Sequence, residues 1–318
     1  MSEPVRSPSL FECCAAATGL VRGMVRPRKP DDRFLRSIAD AGLPAAQRTV
    51  KITTLEQVPR TVPTPMVVEG RFDPKQIRNS LTSFVVQHPE ATFLVDPSFC
   101  LDAEHRAIAQ LPSILRVAVR PPADNIATVT ALNSESQLPA PDFALPTHAH
   151  WDHVCGLLDL PGLPVHLHSD EYRWITGGAV APVGGVRDSL RDRPLEQFDL
   201  DGPPVLTFTR SRDLFGDGSV VLVDLPGHTP GSIGILCHTE SGWVLLAGDA
   251  AWHYLQIEDI RQKSSYPGLF ADVDRDATFK TLHRLHLVRH TVTIVPTHDH
   301  DASSRFTTPR IDPAQALQ

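Results

Sequence analysis

The most constraining feature of this chain is the segment 147–153, Thr-His-Ala-His-Trp-Asp-His, which holds four side chains of the kind that bind metals. It follows residues 142–146, which we predict as a strand, and side chains two apart on extended backbone share a face. His148 and His150 therefore face one point, and a turn after them can bring Asp152 and His153 toward a second point nearby. Imidazoles with a carboxylate suit Zn²⁺ or Fe, whereas Ca²⁺ and Mg²⁺ prefer mostly oxygen.

Composition makes a chance match a weak explanation for this segment. The chain has 15 His among 318 residues, and composition alone predicts roughly 0.003 occurrences of the pattern His-x-His-x-Asp-His. The formal net charge is −7, which gives no field for holding a nucleic acid backbone. No apolar run reaches the length of a membrane span. Five cysteines, an odd number without a Cys-x-x-Cys pair, favour a reducing, cytoplasmic location.

Three further ligand-type residues stand where predicted strands end. His228 lies in Pro-Gly-His-Thr-Pro-Gly, Asp249 in Leu-Ala-Gly-Asp, and His298 in Val-Pro-Thr-His-Asp. A turn after a strand can project a functional side chain from a rigid sheet. We expect all three to lie near the first segment.

With these residues in this order, residues 48–301 resemble the metallo-β-lactamase-fold hydrolases. The resemblance implies an α/β fold, a four-layer αββα sandwich of two mixed sheets with the site at one edge. It also implies two metal ions, expected as Zn²⁺ with Fe or Mn as alternatives. In that reading, one ion is bound by His148, His150 and His228, the other by Asp152, His153 and His298, and Asp249 bridges them.

Such a site suits hydrolysis of a small ester or lactone by a hydroxide that bridges the metals, with Asp152 and Asp249 as catalytic carboxylates that orient it and manage its proton. Thioester or phosphoester hydrolysis on the same site is an alternative. Another is a mononuclear iron oxidoreductase similar to persulfide dioxygenases. A binding protein with structural metal needs only four ligands, so a set of seven argues against it.

The segments 216–223 and 226–232 resemble the quorum-quenching lactonase branch of the family. Those lactonases often place a Tyr three residues after the bridging Asp, where this chain has Trp252. Trp252, His253 and Tyr254 are therefore candidates for the substrate pocket, with Tyr254 as a substitute for the missing Tyr. The bulky apolar residues of 252–270 predict a wall for a hydrophobic group, or packing on the sheet.

We predict an N-terminal extension over residues 1–45 and one catalytic domain over 46–318, with a small molecule as its partner. Strands are expected at 50–58, 65–72, 82–87, 92–95, 114–119, 142–146, 165–168, 205–208, 219–223, 232–237, 243–246 and 292–295. Helices are expected at 102–111, 125–133, 170–175 and 275–290, and a Pro- and Gly-rich loop at 177–204.

Several nearby residues have a simpler interpretation than metal binding. His300 competes with His298, which we favour because it follows the strand directly. His166 and His168 are expected to be ordinary strand residues, because no acidic residue or later His completes a third site. Cys155 is expected to be a small buried filler at the start of a helix rather than a ligand.

Overall fold

Two mixed β-sheets form the body of the protein. The computed structural model describes residues 19, 21–55, 57–111, 116, 121, 124–177, 185–265 and 272–307. The strands are β1 (Lys51–Thr54), β2 (Arg60–Pro63), β3 (Gln76–Asn79), β4 (Phe84–Gln87), β5 (Thr92–Val95), β6 (Phe143–Leu145), β7 (Val165–His168), β8 (Leu195–Phe198), β9 (Ser211–Asp213), β10 (Val220–Asp224), β11 (Ile233–Thr239), β12 (Gly242–Leu246) and β13 (Thr293–Val295).

The first sheet has the order β1-β4-β5-β6-β7-β8, and the second has the order β13-β12-β11-β10-β9. In the first sheet β1, β4 and β5 pair antiparallel and the remaining pairs are parallel. In the second only β12 and β13 are parallel. Strands β2 and β3 form a separate antiparallel pair.

Helices flank the two sheets, and most of them pack on the outer faces. They are α1 (Asp32–Ser37), α2 (Thr64–Val67), α3 (Ala103–Arg106), α4 (Thr128–Ser134), α5 (Trp151–Val154), α6 (Ser169–Gly177), α7 (Val186–Ser189), α8 (Tyr254–Asp259), α9 (Arg275–Val288) and α10 (His300–Ser303). Short 3₁₀ turns occupy Ile108–Gln110, Cys155–Asp159 and Ser304–Phe306. None of the helices in the described residues combines the length and the apolar character needed to cross a bilayer.

Three apolar clusters show why the layers stack. The cluster between the sheets joins Phe84 and Phe93 of the first sheet to Leu222 and Ile235 of the second. A second cluster joins the outer face of the first sheet to α4, α5 and α7, and a third joins the outer face of the second sheet to α8 and α9. Strands covered on both faces need no polar side, and all five residues of β10 are buried. The predicted αββα sandwich is confirmed.

Most predicted core strands are present, with ends within four residues of the prediction, but two strand predictions are wrong. Residues 65–72 form α2 and a turn, since Pro65 at the start of a helix removes an N–H that would go unpaired anyway. Residues 205–208 form a turn with a single bridge between Val205 and Phe208. The predicted loop 177–204 contains α7 and the edge strand β8. The predicted strand 114–119 lies outside the described residues except for Arg116.

The described part of the predicted N-terminal extension packs against the second sheet and α9. The Asp31 N–H donates to Nε2 of His283 at 2.8 Å, and the ring of Phe34 contacts the same imidazole edge-on. Ala41 and Gly42 exchange backbone hydrogen bonds with Leu206. These residues therefore cover the outer face of the sandwich.

Candidate metal centre

The seven predicted ligands lie together at one edge of the sandwich, and each follows a strand of one of the two sheets. His148 and His150 come directly after β6, and α5 then presents Asp152 and His153. His228, Asp249 and His298 follow β10, β12 and β13. Gly227 makes the approach of the β10 loop possible: its φ is +126°, and a Cβ there would lie 2.1 Å from the backbone nitrogen of Thr278.

The first group consists of three imidazole nitrogens at the corners of a small triangle. Nδ1 of His150 lies 3.0 Å from Nε2 of His148 and 2.8 Å from Nε2 of His228, and the two Nε2 atoms lie 3.0 Å apart. Three ring nitrogens in such a triangle cannot all form well-aligned hydrogen bonds with one another. Neutral imidazoles at such spacing are suited to converge on one cation.

The second group lies beside the first, with Asp249 between them. Oδ2 of Asp249 is 3.1 Å from Nε2 of His298 and 3.4 Å from Nε2 of His228. Oδ1 of the same carboxylate is 3.3 Å from Nε2 of His153. Asp152 joins this group through Oδ2, which lies 3.7 Å from Nε2 of His298. Asp249 thus contacts members of both groups.

The donor set fits metal ions because two of its buried polar atoms, although 3.3 Å apart, make no hydrogen bond within the described residues. Nε2 of His153 and Oδ1 of Asp249 are buried without a hydrogen-bond partner among the described residues. A buried polar atom without a hydrogen bond costs free energy unless a water molecule or an ion satisfies it. The ligand atoms of each of the two groups lie within 4.8 Å of one another. The residues present therefore fit a two-cation site of nitrogen and carboxylate ligands.

The electrostatics of the two groups differ. Burial lowers the pKa of His148 and His150 well below the usual value, and neighbouring imidazoles lower it further. At His153 burial also opposes the charge, but Asp96 and Asp249 raise the pKa well above its usual value. Asp249 has a lowered pKa because His298 and His153 outweigh the effect of burial. The first group is thus held neutral, as metal ligands must be.

Asp96, the residue after β5, connects two of the loops that carry the candidate ligands. Its carboxylate accepts hydrogen bonds from the backbone and hydroxyl of Thr147 at 2.6 and 2.9 Å, and from the hydroxyl of Thr297 at 3.1 Å. Oδ2 also lies 2.9 Å from Nδ1 of His153. One carboxylate therefore connects the loops that carry His148 and His298.

Glu171 on α6 likewise connects the loops that carry His148 and His228. The side chain is fully buried. Its oxygens accept from the backbone N–H of Ala149 at 2.8 Å, from the hydroxyl of Thr229 at 2.8 Å and from the N–H of Gly231 at 2.9 Å. Burial raises the pKa of Glu171 to about 7, although these three donors act in the opposite direction.

A buried ion pair, Lys263 with Asp272, lies behind His228. Nζ of Lys263 is 2.8 Å from Oδ1 of Asp272 and 2.9 Å from Nδ1 of His228, and it also donates to the backbone carbonyl of Asp249. Both side chains of the pair are fully buried. Nδ1 of His228 lies 3.3 Å from the carboxylate of Asp272, which can accept its proton and leave Nε2 with a lone pair toward the first group.

The pocket beside the second group is small and mostly apolar. It has a volume of about 120 Å³. Trp252 lies in its wall and donates from Nε1 to Oδ2 of Asp249 at 2.6 Å. Its described lining consists of Val58, Arg60, Asn79, Ser80, Leu81, Phe99, Pro121, Asn125, Trp151, Asp152, Trp252 and His298.

His253 and Tyr254, the other two pocket candidates, line a different groove near Asp299 and Asp301. His253 caps α8 by accepting from the N–H of Leu255. Of the predicted wall 252–270, residues 266–270 lie outside the described residues. The apolar surface that faces the second group also comes from Phe99 and Trp151.

The competing histidines and Cys155 lie outside the two groups. His300 begins α10, whereas Nδ1 of His298 donates to the carbonyl of Ser80 at 3.0 Å and directs Nε2 into the site. His166 stacks on Phe143 within the first sheet. The thiol of Cys155 is buried and donates to the carbonyl of Ser98 at 2.9 Å.

Sequence reasoning did not identify Asp96, Glu171, Lys263 and Asp272 as part of the site. The position of Asp96 directly after an apolar strand, like that of Asp249, was a usable signal. Lys263 and Asp272 carried none, because charged residues in a polar segment normally face solvent and only the folded chain shows both buried.

Comparison with known proteins agrees with this geometry. The model of the metallo-beta-lactamase superfamily matches residues 78–298. A Mycobacterium tuberculosis protein, named probable metallo-hydrolase Rv2300c, is 34% identical over 116 residues, which are 34% of this chain and 36% of that protein. The N-acyl homoserine lactonase AttM of Rhizobium radiobacter is 28% identical over 172 residues, 52% of this chain and 60% of AttM.

The matches therefore span less than two thirds of either curated relative. Among solved structures, a mutant of B. thuringiensis AiiA with N-decanoyl-L-homoserine bound at its active site has a TM-score of 0.56 and 18% identity. That similarity covers 84% of this chain and 99% of the other. It shows a shared fold.

Proposed function

Since this chain belongs to the metallo-beta-lactamase superfamily, we propose that it is a dinuclear zinc hydrolase that cleaves a small ester or lactone. The observation that carries the proposal is the pair of adjacent ligand groups, in which the buried Nε2 of His153 and Oδ1 of Asp249 make no hydrogen bond within the described residues. One tetrahedral ion needs four ligands, whereas seven converge here.

In this proposal His148, His150 and His228 hold one ion, Asp152, His153 and His298 hold the other, and Asp249 is shared. When bound, two divalent ions supply a nucleophilic hydroxide near neutral pH and polarise the carbonyl under attack. The chain's contribution is to fix the ligands. Trp252 holds Asp249 in position by a hydrogen bond. Lys263 contacts His228, and Asp96 contacts His153.

Asp152 is the residue that we assign to proton transfer. Its side chain is 17% exposed and lies in the wall of the pocket beside His298. The shared carboxylate, Asp249, is more deeply buried and accepts a hydrogen bond from Trp252. Asp152 can therefore hold a proton where the leaving oxygen forms, while Asp249 orients the nucleophile.

Lactones and carboxylic esters are the preferred substrate class because AttM, which matches half of this chain, is named a lactonase. Thioesters and phosphoesters are alternatives on the same site, and a single iron with an oxidative reaction is a more distant one. We also propose a small-molecule partner and a cytoplasmic location. The free, buried thiols of Cys100, Cys155 and Cys237 support a reducing compartment.

The test is a hydrolysis screen on protein of known metal content. We expect two zinc ions per chain, metal-dependent cleavage of lactones or aryl esters, and slower cleavage of thioesters and phosphotriesters. Chelated protein and the exposed-surface variant Lys280→Met are the controls. One iron per chain with persulfide oxidation, or two zinc ions without cleavage of any of the four classes, would refute the proposal.

A further inference from the structure

Exposed large apolar side chains are concentrated in one part of the described chain. Of the seven such side chains in the residues that the structure describes, four belong to two short segments: Val21 and Val25 to 21–25, and Met66 and Phe72 to 66–72. Val25 is 73% exposed and Phe72 is 58% exposed. Single exposed aliphatic residues are common on soluble proteins, whereas several that lie side by side indicate an interaction surface.

The two segments are in contact with each other. Residues 21–25 are helical, and this turn lies directly on Glu69, since a Cβ at Gly23 would be 2.6 Å from Oε1 of Glu69. A Cβ at Gly70 would likewise be 2.6 Å from Cγ of Pro27. The segment 66–72 begins in α2, which packs with Trp252. The contact is therefore attached to the body of the protein rather than to a free loop.

The helical turn carries an apolar stripe and a basic stripe on its outer side. Val21 and Val25 each stand two positions from Gly23, about 160° around the helix, so they face away from the contact. Arg22 and Arg26 are four positions apart and share the neighbouring stripe. The backbone N–H of Arg26 donates to the carbonyl of Arg22 at 2.7 Å, which confirms the helical spacing of the two arginines.

The charges of this basic stripe are not neutralised by the described chain. Arg22 and Arg26 are both exposed, and neither guanidinium has an ion pair or a hydrogen bond with a residue that the structure describes. Arg28, by contrast, pairs with Asp276. The chain as a whole has a net charge of −7. Two free cations beside exposed apolar side chains are thus a local exception to the charge of the protein.

This combination of side chains fits one kind of occupant. We refer to the six side chains as the basic apolar surface: Val21, Arg22, Val25, Arg26, Met66 and Phe72. A second copy docked symmetrically through the same surface would bring like charges together. A nucleic acid would meet the cations but leave the apolar side chains in water. An anionic bilayer suits both, because apolar side chains enter the boundary between headgroups and acyl chains while cations meet the lipid phosphates.

We propose that the basic apolar surface docks the protein on an anionic lipid bilayer. This is a peripheral contact, which needs no membrane-spanning segment. Four apolar side chains and two cations form a small docking surface, so the binding is reversible and weakens as salt rises. The inference does not rest on the proposed hydrolase function, and its test uses no measurement of activity.

The test is sedimentation of the full chain with sucrose-loaded vesicles, made either of phosphatidylcholine alone or of phosphatidylcholine with one third phosphatidylglycerol. We expect at least about tenfold stronger partitioning into the anionic vesicles, and a decrease as salt is added. The double variant Val21→Ser with Val25→Ser should lower partitioning into anionic vesicles by about tenfold or more. Arg22→Gln with Arg26→Gln should lower it by about tenfold and remove the preference for anionic lipid.

Two matched double variants elsewhere on the protein are the controls. Leu101→Ser with Leu287→Ser changes two other exposed apolar residues. Lys51→Gln with Arg191→Gln removes two other exposed cations and gives the same net charge as the arginine variant. Each control should partition within about twofold of wild type, because distant charges are screened by salt. Circular dichroism shows that all four variants are folded.

Three results would overturn the inference. The first is equal partitioning of wild-type protein into neutral and anionic vesicles, or into neither. The second is an equal loss of partitioning in the surface variants and their controls, or no loss in any of them. The third is a dimer of the wild-type protein by light scattering that Val21→Ser with Val25→Ser dissociates, without binding to vesicles, which would assign the surface to a second copy.

Discussion

Replacing Lys263 by methionine tests how much the metal centre depends on the charges behind it. In the folded chain Lys263 and Asp272 are both fully buried, with Nζ and Oδ1 2.8 Å apart. Methionine has similar volume but no charge, so the variant leaves Asp272 buried without its cation. Burial alone raises the pKa of Asp272, and Lys263 is the main group that lowers it below the usual value.

The expected cost is large because an isolated buried charge is far less stable than a pair. Breaking a buried ion pair by removing one partner typically costs about 3–5 kcal/mol. At about 2 °C per kcal/mol for a chain of this size, the Tm of the metal-free protein should fall by roughly 6–10 °C. Loss of the contact with His228 should also weaken zinc binding by about 10- to 100-fold.

The measurement is differential scanning calorimetry of chelated protein, followed by zinc titration against a competing chromophoric chelator. Lys280→Met, a substitution of the same type on the exposed face of α9, is the matched control. The double variant Lys263→Met with Asp272→Leu removes both charges and should recover most of the lost stability. A Tm within 2 °C of wild type for Lys263→Met alone would refute this account of the pair.

Three further predictions concern the ligands and their supports. Asp249→Ala should bind much less zinc than wild type and turn over at least about 100-fold more slowly, with an unchanged circular dichroism spectrum. His166→Ala is the control, and equal losses of zinc and activity in the two variants would contradict our assignment of which residues bind metal. Trp252→Phe removes the hydrogen-bond donor to Asp249 and should weaken zinc binding by about tenfold. Trp243→Phe on β12 is the control, and equal zinc affinities in the two variants would show that this hydrogen bond contributes nothing to zinc binding. The folded-state pKa of Glu171 is raised from 4.5 to about 7, so the contribution of this residue to the stability of chelated protein should fall by about 3 kcal/mol as pH rises through that interval. The measurement is the difference in unfolding free energy between wild type and Glu171→Gln in urea, which cancels the opposite contribution of the lowered pKa values of His148 and His150; a difference that shifts in favour of wild type as pH rises would contradict the sign.

The clustering of the seven candidate ligands could be predicted from the sequence because these residues combine residue type, spacing and position. His148 and His228 stand in short motifs directly after apolar strands, and strand ends of stacked sheets meet at one edge. Strands β10 and β11 could also be predicted from the sequence, because each contains a long run of buried, mostly aliphatic residues.

The supporting residues and the pocket could not be predicted because they depend on contacts between distant segments. Glu171 lies 60 residues from Gly231, to which it is hydrogen bonded. Strand β2 has an alternating half-exposed pattern and a proline, so neither periodicity nor propensity distinguishes it from a loop. Arg60 gains its setting only when β3 docks on the segment of His298. Short elements of this kind are determined by tertiary packing rather than by local sequence.

The division of the ligands between the two sheets has a consequence for how the protein unfolds. His148 and His228 are 80 positions apart and come from opposite layers, so an ion held by both acts as a removable cross-link between the layers. An ion that binds only the folded chain adds RT ln(1 + [ion]/Kd) to the free energy of unfolding, about 4 kcal/mol when the free ion is present at 1,000 times its Kd. Under the proposed function, removal of zinc by a chelator should weaken the packing between the two layers before it affects either sheet. The supply of zinc would then set the lifetime of the folded protein as well as its proposed activity.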